Sequence, residues 1–330
     1  MKITRKNNKQ LIKFFIILAM IIIACVLSKK ALLPVIRQLK QTKVSTIAII
    51  CVISLGYFVF EGINLWRLSL KYNPNFTLSQ GVSCSFYACF YRTITMGSAS
   101  FAAGMYYLNK KGVPLANTLS LITLQYISYK IAITLFCGIC MTYDYEYMHR
   151  IYGDYFSYIL LGFLLTLLII VVLILICICS PLHKFLLFLC QKLNRNGTYN
   201  EKIATLSKEL VSLRKGTYFL IKDKLAMVSL LLRNLTRLLF WYSLPCILFQ
   251  ANTWTKIRHT ISIASLVTDL AGVIPSPAGI GSTEVLFTAF YSRIFGTTLA
   301  ASSMLLYRFA TFIFPFLVGI SVIMCYDDKK

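Results

Sequence analysis

Hydrophobic positions in this chain run in long unbroken blocks, so neither the period of two expected of a strand nor the one-sided stripe of a soluble helix describes them. Blocks cover residues 11–27, 44–65, 115–141, 155–179, 225–250 and 298–325. Each is long enough for a helix rising about 1.5 Å per residue to cross roughly 30 Å of hydrocarbon. Two more apolar segments are irregular. Residues 82–105 are rich in small and polar side chains (Ser85, Arg92, Thr93, Gly97, Ser98, Gly104), and 259–295 is interrupted by Pro275-Ser276-Pro277-Ala278-Gly279-Ile280-Gly281. Proline removes an amide donor and glycine favours non-helical backbone, so 275–282 is expected to be an unwound turn between half-helices 259–274 and 283–295. The first half is about 24 Å long and cannot span alone. Unwound backbone persists at membrane depth only inside protein or beside a watery cavity.

The fold class that follows is all-α, a polytopic helical membrane protein with about six full spans and two broken or re-entrant segments. Composition agrees: of 330 residues 58% are hydrophobic and 14% charged, about half the charge of a soluble domain. No linker divides the chain, so residues 1–330 are expected to form one integral membrane domain without a soluble C-terminal domain. The N-terminus has the charge order of a signal peptide, but Leu27-Ser28-Lys29-Lys30 offers no small-x-small cleavage site. A retained first helix is expected.

The excess of 34 Lys and Arg over 11 Asp and Glu lies between apolar blocks, which points to the anionic cytoplasmic leaflet and away from nucleic acid. Residues 181–224, with Lys184, Lys192, Arg195, Lys202, Lys208, Arg214, Lys215, Lys222 and Lys224, are expected to be a cytoplasmic loop facing anionic lipid. The acidic stretch 142–154 then lies outside. Loop charge does not decide whether 82–105 crosses or re-enters. If both broken segments re-enter, they do so from opposite sides, like the opposed elements of transporters with a midplane site; the basic stretch from Lys29 to Lys43 would then lie outside.

Most of the eleven cysteines sit inside apolar blocks, where a thiol behaves as a small hydrophobe, and no disulfide framework is expected. Cys137 and Cys140 form a CxxC without a second ligand pair, and His149, His183 and His259 lack metal-like spacing. Neither a metal, a cofactor nor a catalytic triad is expected. The chemistry lies in ionisable groups within apolar segments, which are costly there and are therefore functional candidates. They are Glu61, Arg92, Lys130, Arg233, Arg237, Asp269, Glu284, Arg293 and Arg308, with Lys13 near a helix start. Six cations against three acids suit an anionic headgroup held by Arg and by free amides of a half-helix.

Several roles stay open on residue type alone. Arg233 and Arg237 share a helix face and form either a phosphate clamp or a snorkelling pair. Arg308 needs a buried partner, Asp269 or Glu284. Glu284 either complements the dipole of the following half-helix or binds a cationic amine. Asp269 and Ser265 share a face near that turn. Lys130 contacts a phosphate, with Tyr126, or pairs with Glu61. Ala99 with Ala103 and Ser100 with Gly104 are small pairs suited to close helix packing.

The stretch Pro275-Ser276-Pro277-Ala278-Gly279-Ile280-Gly281-Ser282-Thr283-Glu284, followed by Ala300 and Arg308, resembles the P-x-P-G-G-x-G-x-x-E turn of the lysylphosphatidylglycerol synthase transmembrane region, a flippase-like family that includes the membrane half of the multiple peptide resistance factor. Tyr106-Tyr107-Leu108 through Lys111-Gly112, then Ile127-Ser128-Tyr129-Lys130, resembles the family's Y-Y-L-x-K-x-G and I-S-Y-Q stretches. Ala278 stands where the turn usually has glycine, and Lys130 where Gln is common. The resemblance implies movement of a phosphatidylglycerol-type phospholipid, such as an aminoacylated one, between leaflets of the cell membrane. The expected substrate site combines the intramembrane charges Arg92, Arg237 and Asp269 with the residues in the matching stretches, Lys130, Pro277, Gly279, Gly281, Glu284 and Arg308; whether a separate lipid synthase is a partner stays open. Two other readings are a lipid-modifying enzyme of the phosphatidylglycerol lysyltransferase type and a non-transporting membrane scaffold.

Overall fold

The computed structural model describes residues 29–194 and 200–325, and among these every regular element is helical. The apolar block 11–27, with Lys13, lies outside the described residues, as does Arg195. The helices are Lys29–Gln41 (α1), Val44–Ser69 (α2), Leu78–Ile94 (α3), Ser100–Lys110 (α4), Leu115–Tyr143 (α5), Tyr145–Tyr152 (α6) and Phe156–Ile178 (α7). Ser180–Leu193 (α8), Asn200–Ile221 (α9), Lys224–Leu248 (α10), Trp254–Ala271 (α11), Ser282–Phe295 (α12), Thr297–Arg308 (α13) and Phe314–Cys325 (α14) follow. Four stretches are long and apolar enough to cross a membrane: Val44–Ser69, Asn117–Tyr143, Phe156–Ile178 and Thr297–Cys325. The block 225–250 is helical as expected, but Arg233, Asn234 and Arg237 dilute its apolarity.

The basic stretch 181–224 is not a plain loop. It forms α8 and α9, and α9 packs along α5: Ser120 Oγ donates to the Ser212 carbonyl at 3.3 Å, and Leu213 joins Ile127 and Cys177 in a buried cluster. The physical reason is that α9 buries the side chains of Leu210, Leu213, Thr217 and Leu220, and the charges between them read as polarity.

Both interrupted segments fold back on themselves. In the first, Thr77 and Gln80 cap α3 reciprocally, the chain turns through Met96 (φ 50°) and Gly97 (φ 98°), and α4 returns so that Tyr107 faces Tyr87, ring centroids 5.3 Å apart. In the second, Tyr291 on α12 donates its hydroxyl to the Thr260 carbonyl on α11 at 2.8 Å. The paired residues lie either side of each turn, so both segments are antiparallel hairpins. Their observed halves are 78–94 with 100–110 and 254–271 with 282–295.

The hairpins hang from opposite ends of the bundle. α2 and α10 are antiparallel, since contacts step from Tyr57–Trp241 through Glu61–Arg237 to Asn64–Asn234. At one end Lys71 meets Asp223 at 3.3 Å and Asn73 donates to the Lys111 carbonyl at 2.8 Å, which fixes the base of the first hairpin. Asp223 also caps α10 through the Ala226 amide; that bond, with Lys71, holds its carboxyl below the ordinary carboxylate range. At the other end Asp144, closing α5, binds Arg258 (2.9 Å), His259 (3.2 Å) and Ser262 at the base of the second hairpin. The tips meet. A side-chain carbon on Gly97 would stand 3.2 Å from the Ala278 amide nitrogen.

The order span, hairpin, span therefore occurs twice in opposite senses, as α2, α3–α4, α5 and as α10, α11–α12, α13–α14. Cross-packing follows the same exchange: α14 lies on α3, where Phe316 stacks on Phe90 at 5.4 Å, and α11 lies on α5. Between α13 and α14 the helix widens to a π turn at Phe309–Ile313, just before Pro315, which has no amide to give the preceding turn. Ser54 on α2 donates to the Ala310 carbonyl there at 2.6 Å. Ser54→Ala should destabilise the protein by about 1–3 kcal/mol, by leaving that carbonyl buried without a partner; unfolding in detergent micelles measures it.

Candidate functional site

Charged side chains gather in three groups around the interface between the two antiparallel halves. The first is centred on Arg237, 3% exposed. Its guanidinium pairs with Glu61 at 2.8 Å and sits in a notch between Tyr57 and Tyr129, 4.0 and 4.4 Å from their ring centroids. The two phenols share a hydrogen bond of 2.8 Å, and Trp241 packs against Tyr57. Arg237 therefore does not snorkel: the antiparallel register of α2 and α10 places Glu61 opposite it. Arg92, near the end of α3, interacts electrostatically with Glu61 and Arg237, and its NH2 group donates to the Cys89 sulfur at 3.4 Å.

One turn along α10, Arg233 donates Nε to Asn64 Oδ1 at 2.7 Å and a second N–H to Ser229. Asn64 donates to Asn234 Oδ1 (2.9 Å), and Asn234 donates to Ser128 (3.1 Å). Gln125 also reaches Asn234, at 3.4 Å. Arg233 and Arg237 do share a face, and that face is taken up by α2. Sequence reasoning that followed only ionisable groups passed over Asn64, Gln125 and Asn234. Uncharged amides three residues from Glu61 on one span, and beside Arg233 on another, were the available signal.

The second group surrounds Asp269, 1% exposed near the end of α11. Thr134 on α5 donates to one carboxylate oxygen at 2.9 Å. The other oxygen is buried without a hydrogen-bond partner beside Thr166, whose hydroxyl is given to the Gly162 carbonyl at 3.2 Å. Lys130, one turn before Thr134, extends to the same broken helix end. A side-chain carbon on Gly272 would lie 2.5 Å from its Nζ, so glycine leaves the room the ammonium occupies. Thr134 also lines a lateral groove of about 820 Å³ between α5 and α7, walled by Leu135, Ile139, Leu160 and Phe163.

The third group is the tip of the second hairpin. Arg308 donates from one terminal nitrogen to the Gly279 carbonyl (2.5 Å) and to Glu284 (2.6 Å). The same Glu284 oxygen accepts from the Gly281 amide at 2.6 Å, so Glu284 caps α12 and pairs with Arg308 together. Ser276 and Ser282 close the turn with a hydroxyl hydrogen bond of 2.6 Å. Pro277, Ala278 and Gly279 make one 3₁₀ turn, and Gly279 and Gly281 hold φ of 73° and 92°. Arg308 thus pairs with Glu284, while Asp269 belongs to the group with Thr134 and Lys130. Arg293 lies apart, 5.5 Å over the Tyr155 ring. Ala278 is left-handed (φ 54°, ψ 21°) although it carries a side chain. Ala278→Gly should relieve that strain and raise stability by up to about 1 kcal/mol, read as a higher unfolding temperature with the tip contact kept.

Interrupted helices hung from opposite ends, meeting tip to tip beside two Arg–Glu pairs, define an all-α, polytopic membrane-like fold. Residues 10–319 match the family model described as the lysylphosphatidylglycerol synthase TM region, and the chain belongs to that family. No curated protein and no solved structure is significantly similar to it.

Proposed function

We propose that the protein is a phospholipid translocase of the cell membrane, which moves a phosphatidylglycerol-type lipid, such as an aminoacylated one, between leaflets. The observation that carries this reading is the contact of the two hairpin tips at Gly97 and Ala278. It brings unwound backbone from both sides together within a helical bundle, where such backbone needs a polar surrounding. The family supplies the lipid class. A charged headgroup left bare in hydrocarbon is too costly to move at a useful rate, and a path lined with fixed charges replaces its water.

The charges divide by partner. Arg237 and Arg308 have carboxylates at hydrogen-bond distance. Arg92, Lys130 and Arg233 have none within 4.0 Å among the described residues and are half-buried, and Arg233 is held by Asn64 and Ser229, which leaves Arg92 and Lys130. These two are the cations placed to take the lipid phosphate. Glu284, 35% exposed, faces the headgroup amine, and the groove beside Thr134 accommodates an acyl chain. The bundle end carrying Lys71, Lys110 and Lys111 is cytoplasmic by its basic residues.

A leaflet-resolved assay in proteoliposomes, with lysyl-phosphatidylglycerol and phosphatidylglycerol as substrates, tests the reading. Wild type should equilibrate headgroup exposure. Arg92→Gln and Lys130→Met should each slow it about tenfold or more, the loss of a charge-assisted contact, with unchanged unfolding temperature. Unchanged exposure with wild-type protein refutes translocation. A new lipid species found by mass spectrometry after expression in a host lacking aminoacyl lipids would mark the chain as a lipid-modifying enzyme instead.

A further inference from the structure

Outside the central groups, α8 and α9 enclose a cavity of about 680 Å³ lined by Lys184, Arg214, Lys215 and Lys222 with Leu187, Val211, Tyr218 and Phe219. Among the described residues no carboxylate lines it. The nearest in sequence, Asp223, is engaged by the Ala226 amide and by Lys71. Its floor is built: His183 is buried and its Nε2 donates to the Ile176 carbonyl at 2.5 Å, tying α8 to the end of α7. Arg214 lies 5.7 Å over the Tyr218 ring. Val211, Tyr218 and Phe219 are exposed there, although α9 packs on α5 with its other side.

We infer that this cavity is a binding site for an anionic phospholipid of the adjoining leaflet, separate from the central charges, with the phosphate between Lys184, Arg214, Lys215 and Lys222 and the acyl chains over Leu187, Val211 and Phe219. Charge selects the anion. The apolar wall selects a lipid, since a free phosphate or a nucleic acid gains nothing from exposed Val and Phe, whereas an acyl chain removes them from water. Location agrees, because Lys222 adjoins the Lys71–Asp223 pair at the basic end of the bundle, where cytoplasmic phospholipids carry negative charge. The inference rests on membrane placement and does not depend on translocation.

The full chain in nanodiscs is exposed to phosphatidylglycerol bearing a photoactivatable acyl chain, or to phosphatidylcholine with the same chain, and crosslinked peptides are mapped. Residues 180–222 should be labelled by phosphatidylglycerol on the order of tenfold more than by phosphatidylcholine. Each cation removed should lower that preference about twofold, the four together making up the tenfold. The combination K184Q/R214Q/K215Q/K222Q should abolish the preference, and K192Q/K208Q, exposed positions outside the cavity, should keep it. Should the combined variant unfold, Arg214→Gln alone carries the test, with the same twofold loss expected. Equal labelling by the two lipids, or preference surviving in the variants, overturns the proposal. Loss of the preference in millimolar inorganic phosphate would also overturn it, by showing a site for soluble anions.

Discussion

Arg237→Ala is expected to abolish the proposed lipid movement and to cost about 3–5 kcal/mol of stability, the largest loss foreseen for a single substitution here. The size follows from what is stranded. Glu61 would keep its charge against α10 without its partner at 2.8 Å, and the notch between Tyr57 and Tyr129 would be left as a void. Arg237→Lys keeps the charge but loses the planar group that fits the two rings, and should recover only part of the stability. The informative comparison is the double variant Glu61→Gln/Arg237→Gln. It removes both charges at once and should regain most of the stability. Regained lipid movement as well would assign the pair a purely structural role; unrecovered movement would place its charge on the headgroup path. Unfolding in micelles and the proteoliposome assay are read together.

Arg308→Ala should have the next largest effect, about 3 kcal/mol. One nitrogen of this side chain holds both the Gly279 carbonyl and Glu284, and so joins the last span to the hairpin tip. Without it the tip keeps the Glu284 cap on Gly281 but loses its tether. Hydrogen exchange at the amides of residues 279–284 should accelerate, together with loss of lipid movement. Arg308→Lys should retain more of both, because a single ammonium can make both contacts. Unchanged exchange in Arg308→Ala would show that the tip is held by other means.

Four of the apolar blocks, now Val44–Ser69, Asn117–Tyr143, Phe156–Ile178 and Thr297–Cys325, and the two irregular segments were legible in the chain because their signals are local: long apolar runs, a Pro and Gly cluster, and a stretch rich in small and polar residues. Which charges meet was not legible. Glu61 was open to Lys130 and Arg308 to Asp269, since sequence carries no information on the register of α2 against α10. That register, seen in the successive contacts of Tyr57, Glu61 and Asn64 with α10, gives Glu61 to Arg237 and leaves Lys130 at the broken end of α11. In the basic stretch, α9 was hidden for a different reason: its buried leucines are spaced among charges and look like a connector until α5 supplies a surface to cover them.

The antiparallel duplication bears on how the proposed translocation would work. Each hairpin is suspended from its own end and touches the other at Gly97 and Ala278, so access to one side would need only one tip to withdraw, and access to the other side its counterpart. Neither displacement would require the long helices α2 and α10 to slide past each other.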